Sequence, residues 1–168
     1  IDYFKDVEDR WTDSRDTDEP EFRTPFSTIN TSLEGGLAKK ELAMIVAPPG
    51  VGKSLFLANQ AVRSVLDGKN VLFITLGKLR IKEFPTKRAT VSTVRAYLSQ
   101  LQNFHQFVPD IVVIDYLELL STDSNLAEYQ AQERLAQELR GLASENKCLV
   151  WTATQTNREG RRVKIITD

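Results

Sequence analysis

From residue 41 onward, short unbroken apolar runs alternate with stretches whose apolar positions recur every three to four residues. Glu41 to Ala47 (ELAMIVA) is the first run, and it stops at Pro48-Pro49-Gly50 as a buried strand entering a loop would. Ser54 to Leu66 then carries Leu55, Ala58, Ala61, Val62 and Val65 at a helical period and closes on Asp67-Gly68, a helix C-terminus. Val71 to Leu76 (VLFITL) is a second strand. Thr90 caps a helix that has Val91, Val94, Leu98 and Leu101 on one face. Ile111 to Asp115 (IVVID) is a third strand, followed by a long helix from Leu126 to Glu145 with Leu135, Leu139 and Leu142 inward. Cys148 to Ala153 (CLVWTA) and Val163 to Thr167 (VKIIT) read as a fourth and a fifth strand. Strands that are apolar throughout are buried on both faces, so the alternation predicts an α/β fold, a mostly parallel sheet covered by helices on both sides.

A length of 168 residues is about one domain's worth. No apolar run reaches the ~18–20 residues of a membrane helix, and IDYFKDVEDR has neither the basic start nor the apolar stretch of a signal peptide. A cytoplasmic protein without a membrane partner is expected. The single Cys148 and single His105 exclude an internal disulfide and a zinc site of soft ligands. Cys148 is expected to be a small core residue, Trp151 core and His105 exposed.

The net charge of −1 hides a polarity along the chain. Ile1 to Pro20 holds eight acids against three bases, and Lys78 to Gln102 holds six bases against Glu83 alone. The acidic segment also carries Tyr3, Phe4, Val7 and Trp11 at helical spacing. Residues 1–20 are therefore read as an arm and linker ahead of a domain over residues 21–168. The stripe either docks the arm on another surface, with Trp11 as an anchor, or packs on the chain's own domain. The basic segment is a nucleic-acid contact, a solvated face or a surface for a neighbour's acidic arm, and a charge near zero does not exclude nucleic acid.

Ala47-Pro48-Pro49-Gly50-Val51-Gly52-Lys53-Ser54 fits the phosphate-loop pattern except for Ala47 in the leading glycine position, and it has the required strand before it and helix after it. The chemistry needs these residue types. Gly50 and Gly52 let successive amides turn inward, the helix N-terminus adds a positive dipole, Lys53 places a charge on the terminal phosphates, and Ser54 is a Mg²⁺ ligand. The second half of such a site is an acid at the C-terminal end of a neighbouring strand, and Asp115 supplies it as a second Mg²⁺ ligand. Asp110, at the strand's other end, is read as solvated. Gln155, after the fourth apolar strand, is a candidate sensor of the terminal phosphate.

The order of these elements resembles the RecA-like P-loop NTPase core. The wording resembles hexameric replicative DNA helicases of the DnaB type. Ile114-Asp115-Tyr116-Leu117-Glu118-Leu119-Leu120 is similar to their IDYLQL phrase and Thr154-Gln155-Thr156-Asn157-Arg158 to their SQLNR phrase. Phe26 to Leu42, with Glu34-Gly35-Gly36-Leu37, resembles the lead-in to their phosphate loop, where an alanine in the position of Ala47 is frequent. Three further phrases, Leu79 to Thr86 (LRIKEFPT), Phe107-Val108-Pro109-Asp110 and Val150-Trp151-Thr152-Ala153, resemble tailed-phage members in particular. The resemblance covers about residues 21–158.

One departure concerns catalysis. In that family a glutamate follows the strand corresponding to VLFITL and serves as general base, whereas here Leu76 runs into Gly77-Lys78-Leu79. Either the base is lost or the sequence joins stretches that are not contiguous in the full protein, with joins near 76/77 and 157/158. LRIKEFPT belongs to a later strand in the family and is cramped directly after Leu76, which favours a join. Arg158, before Glu159-Gly160-Arg161-Arg162, is then the sensor-loop arginine, a finger acting on a neighbouring subunit's ATP, or an inert surface residue. Glu118 is a weak substitute base.

The resemblance implies ATP and Mg²⁺ as ligands and Lys53, Asp115, Gln155 and Arg158 as the catalytic set. It also implies in-line attack of water on the terminal phosphate, with Lys53 and the Mg²⁺ held by Ser54 and Asp115 spreading the charge. It implies single-stranded DNA held through its backbone, and a homo-oligomeric ring, a hexamer, with primase and a helicase loader as further partners. The setting is the cytoplasm of a bacterial cell or phage-infected host. The competing readings are a recombinase-like filament ATPase and a nucleotide-binding module that switches assembly without hydrolysis.

Overall fold

The computed structural model describes residues 21–75, 89–117, 120 and 128–155. Its elements are α1 (Ser27–Ser32), β1 (Leu42–Ala47), α2 (Lys53–Leu66), β2 (Val71–Thr75), α3 (Val91–His105), β3 (Ile111–Asp115), α4 (Glu128–Glu145) and β4 (Leu149–Gln155). The four strands form one parallel sheet in the order β1-β4-β3-β2. The boundaries expected from the hydrophobic pattern for these four strands, for both ends of α2, for the start of α3 and for the end of α4 fall within two residues of the observed ones. The acidic arm with Trp11, the segment Lys78 to Arg88, Glu118, Arg158 and the fifth strand lie outside the described residues.

Alternation along the strands divides the core in two. Phe73, Ile111, Val113, Leu149, Trp151 and Ala153 face α2, against Leu57 and Ala61. Leu72, Ile74, Val112, Ile114 and Val150 face α3 and α4, against Val94, Leu98, Leu135, Leu139 and Leu142. Removal of each of the Val, Leu, Ile and Phe side chains among them from water stabilises the fold by about 1.5–3 kcal/mol. Cys148 and Trp151 are core residues and His105 is exposed, as expected. Thr90 caps α3 through the Thr93 amide, and Thr93 returns the bond to the Thr90 amide.

Two expectations fail in detail. The stripe of α2 that meets the sheet is Lys53, Leu57, Gln60, Ala61 and Ser64, while Leu55, Val62, Val65 and Leu66 are exposed. Lys53 folds back into the preceding loop, and the neighbouring apolar stripe, with Val71 and Phe73 of β2, lines an open groove of about 360 Å³. β1, at the margin of the described sheet, is only partly buried.

The segment before β1 is clasped rather than draped. Asn30 accepts the Thr24 amide at 2.7 Å and donates to the Thr24 carbonyl at 2.9 Å, and the buried Gln60 donates to the Arg23 carbonyl at 3.1 Å. Phe22 bridges Leu37. Gly36 makes this approach possible at φ +149°, since a Cβ there would lie 2.4 Å from the Phe22 carbonyl oxygen.

Candidate nucleotide-binding site

In a parallel sheet all C-terminal strand ends share one edge, and the pairs Ala47 with Gln155 and Thr75 with Asp115 place three of the expected functional segments there. Asp115 shares the α2 side of the sheet with Ile111 and Val113, and Gln155 shares it with Trp151 and Ala153. The loop leading into α2, Asp115 and Gln155 thus belong to one edge and one face. At that edge β3 parts from β4. Their pairing stops at Ile114 with Thr152, although β3 stays with β2 through Asp115 and β4 stays with β1 through Gln155.

The loop over residues 48–52 has the conformation its composition suggests. Gly50 and Gly52 are at φ +81° and +93°, in the left-handed region. Gly52 is the N-cap of α2, where the left-handed backbone carries no side chain, so no side-chain oxygen caps the first turn and no acid stands in it. The first-turn amides and the positive end of the helix dipole are left for an anion. Lys53, almost fully buried, donates through Nζ to the carbonyls of Ala47 (3.1 Å) and Pro48 (2.9 Å), so its charge stands over the loop.

Ser54 Oγ donates to Asp115 Oδ1 at 3.0 Å. Burial raises the Asp115 carboxyl above its ordinary value, opposed by the Ser54 hydrogen bond and the nearby Lys53 charge. A hydroxyl and a carboxylate side by side are hard oxygen donors, which suits Mg²⁺. Among the described residues no group of three His, Cys, Asp or Glu forms a self-contained metal site. Mg²⁺ is commonly bound by one or two protein oxygens together with substrate phosphates. The residues present therefore fit a Mg²⁺-nucleotide, with Ser54 and Asp115 to hold the ion and Lys53 and the loop amides to hold phosphate.

Gln155 ends β4 beside Ala47, partly buried. Asp110 lies at the opposite edge, where it accepts the Asn70 amide at 2.9 Å and pairs with Lys39 at 3.8 Å, so it is a structural acid rather than a free one. Sequence reasoning passed over Gln60 and Thr152, both fully buried polar residues. Gln60 stands beside Asn59 in a helix of mixed polarity and Thr152 in a mostly apolar strand, and neither carries a signal of its own.

Residues 43–162, from β1 past the end of β4, match the ATPase family associated with various cellular activities (AAA). The chain belongs to this family. The ATPase is also similar to a DnaB-like replicative helicase of Enterobacteria phage T4, at 26% identity over 94% of this chain and 44% of that protein. It is similar to a DNA repair protein RadA of Mycolicibacterium smegmatis, at 28% identity over 60% of this chain and 23% of that protein. The ATPase therefore spans less than half the length of either relative. A solved DnaB-like replicative helicase, described with its interactions with primase, superposes with a TM-score of 0.70 over 95% of this chain and 50% of that one, at 17% identity. The resemblance to DnaB-type helicases is thus borne out, and the parallel sheet with its phosphate loop is the RecA-like P-loop NTPase fold. The phage match spans 210 aligned positions, whereas 94% of 168 residues is about 158, so about fifty positions have no residue of this chain opposite them. Among the described residues no helix is long and apolar enough to cross a membrane.

Proposed function

We propose that this chain is the motor domain of a replicative DNA helicase, which hydrolyses ATP to translocate on single-stranded DNA and unwind duplex. The observation that carries the ATP-hydrolysing part of the reading is the Ser54–Asp115 pair at 3.0 Å beside a loop over which Lys53 is turned, and the helicase part is supported by the similarity to DnaB-like replicative helicases. Ser54 and Asp115 would hold Mg²⁺, which would supply charge neutralisation when bound. Lys53 and the first amides of α2 hold the phosphates in line for attack by water. Gln155, at the end of the strand that pairs with the phosphate-loop strand, senses the terminal phosphate. Arg158 completes the site as a sensor-loop residue or as a finger on the next subunit's ATP, which makes a homo-oligomeric ring, a hexamer, the working unit. Primase and a loader are the partners of such a ring, and cytoplasm its setting.

DNA-stimulated ATP hydrolysis of the parent and of Lys53→Ala tests this. Removal of the lysine is expected to lower the rate at least ~100-fold, since one donor to a developing anion is worth about 3–4 kcal/mol in a dry site. Equal rates in the two proteins would end the motor reading. A second reading, nucleotide binding that switches assembly without turnover, is favoured by one observation, the Leu76-Gly77-Lys78 sequence where a carboxylate is expected after β2. The alternative account of that sequence is that residues 76 and 77 are not contiguous in the full protein. Nucleotide-dependent assembly of a parent that binds but does not hydrolyse ATP would favour the second reading.

A further inference from the structure

Thr152 is wholly buried on the α3/α4 side of β4, away from the nucleotide face, and its hydroxyl donates to the Ile114 carbonyl at 3.0 Å. Ile114 is the last residue of β3 still paired with β4, and the next residue is Asp115. The peptide that carries the Asp115 amide is therefore the one whose oxygen Thr152 holds. Neighbouring positions on that face, Val112, Ile114 and Val150, are aliphatic, and a valine would fill the same volume at position 152. Packing does not ask for a hydroxyl there.

We propose that Thr152 is a positioning residue that fixes where β3 leaves β4 and thereby aims Asp115 at Ser54 and the metal. Beyond Ile114 nothing in the β3–β4 ladder holds β3, whereas β2 still pairs with Asp115. The buried Leu117 anchors the chain two residues beyond Asp115. The Thr152 bond adds a side-chain restraint to the last β3–β4 rung, from within the core and one residue before the carboxylate. Because β4 ends three residues later in Gln155, the same bond ties the strand of the candidate phosphate sensor to the strand of the metal ligand.

The inference rests on the reading of Ser54 and Asp115 as Mg²⁺ ligands. Its test uses Thr152→Val, which keeps shape and loses the donor, and Thr152→Ser, which keeps the donor. Binding of a fluorescent ATP analogue to the full chain is titrated with Mg²⁺ and repeated in EDTA, with melting temperatures recorded for all three proteins. Expected is a roughly five- to tenfold rise in the Mg²⁺ concentration for half-maximal tight binding in Thr152→Val, near-parent behaviour in Thr152→Ser, and unchanged metal-free binding in both. A Thr152→Val protein that keeps the parent's Mg²⁺ requirement, whether or not it melts lower, overturns the proposal, as does an equal shift in Thr152→Ser. Failure of the underlying reading looks different: the parent itself then shows no Mg²⁺ dependence, and Asp115→Asn leaves its binding unchanged.

Discussion

Ser54, second residue of α2, and Asp115, last residue of β3, are 61 positions apart in sequence and share a hydrogen bond of 3.0 Å. The bond makes Asp115 an acceptor in a half-buried place where its charge is costly, which is why burial pushes its carboxyl up despite the Ser54 donor and Lys53. Asn at position 115 keeps an acceptor for Ser54 and removes the buried charge. Asp115→Asn is therefore expected to be as stable as the parent or more so, by about 0.5–1 kcal/mol or a couple of degrees in melting temperature. It is also expected to lose the Mg²⁺ dependence of nucleotide binding. A variant that melts well below the parent would show that the carboxylate stabilises the fold and is not held there at a cost.

The strands were legible because each is apolar on both faces, and the loop because glycine, lysine and serine occur at a spacing that few other structures need. The rotation of α2 was not legible. Its apolar residues fill more than one face, and the face taken is the one that seats Leu57 and Ala61 in the core with Lys53 turned back to the carbonyls of Ala47 and Pro48. Buried hydrogen bonders such as Gln60 and Thr152 escaped for a related reason, since their partners are backbone carbonyls, which every residue has.

That rotation yields a sharp contrast. Leu57 is fully buried and Leu66, nine residues on, is 77% exposed. Leu57→Ala should cost about 2–5 kcal/mol in denaturant unfolding, through lost transfer energy and a cavity. Leu66→Lys should lie within about 0.5 kcal/mol of the parent. A large loss for Leu66→Lys would mean that the groove beside β2 is covered in the full protein.

Gly36 offers a test of the clasp before β1. A Cβ there would meet the Phe22 carbonyl oxygen at 2.4 Å, and backbone cannot step aside as a flexible side chain can. Gly36→Ala is expected to cost at least ~2 kcal/mol, from the clash and from the φ of +149°. Equilibrium unfolding of parent and variant gives the number directly, and a near-zero difference would mean that residues 21–24 do not pack on Leu37 in solution.

The same clasp carries an ionic contact whose pH dependence has a definite sign. Glu21 pairs with Lys69, whose ammonium also lies 5.3 Å from the centre of the Phe22 ring, and with Lys39 at 3.5 Å. Burial raises the Glu21 carboxyl, but the bonds and charges of Lys69 and Lys39 outweigh it and hold the group below its ordinary 4.5. A carboxylate lowered in the folded state adds stability above its unfolded value and loses it as pH falls through the folded one. Glu21→Gln should therefore melt slightly below the parent at pH 7, by at most about 1 kcal/mol because the side chain is 37% exposed. The gap should close as the pH is taken below 4.5 through the lowered value, and shrink in high salt. Melting curves of both proteins across that range decide it: a gap that persists unchanged at the acid end would assign the effect of the substitution to packing on Phe22 rather than to charge.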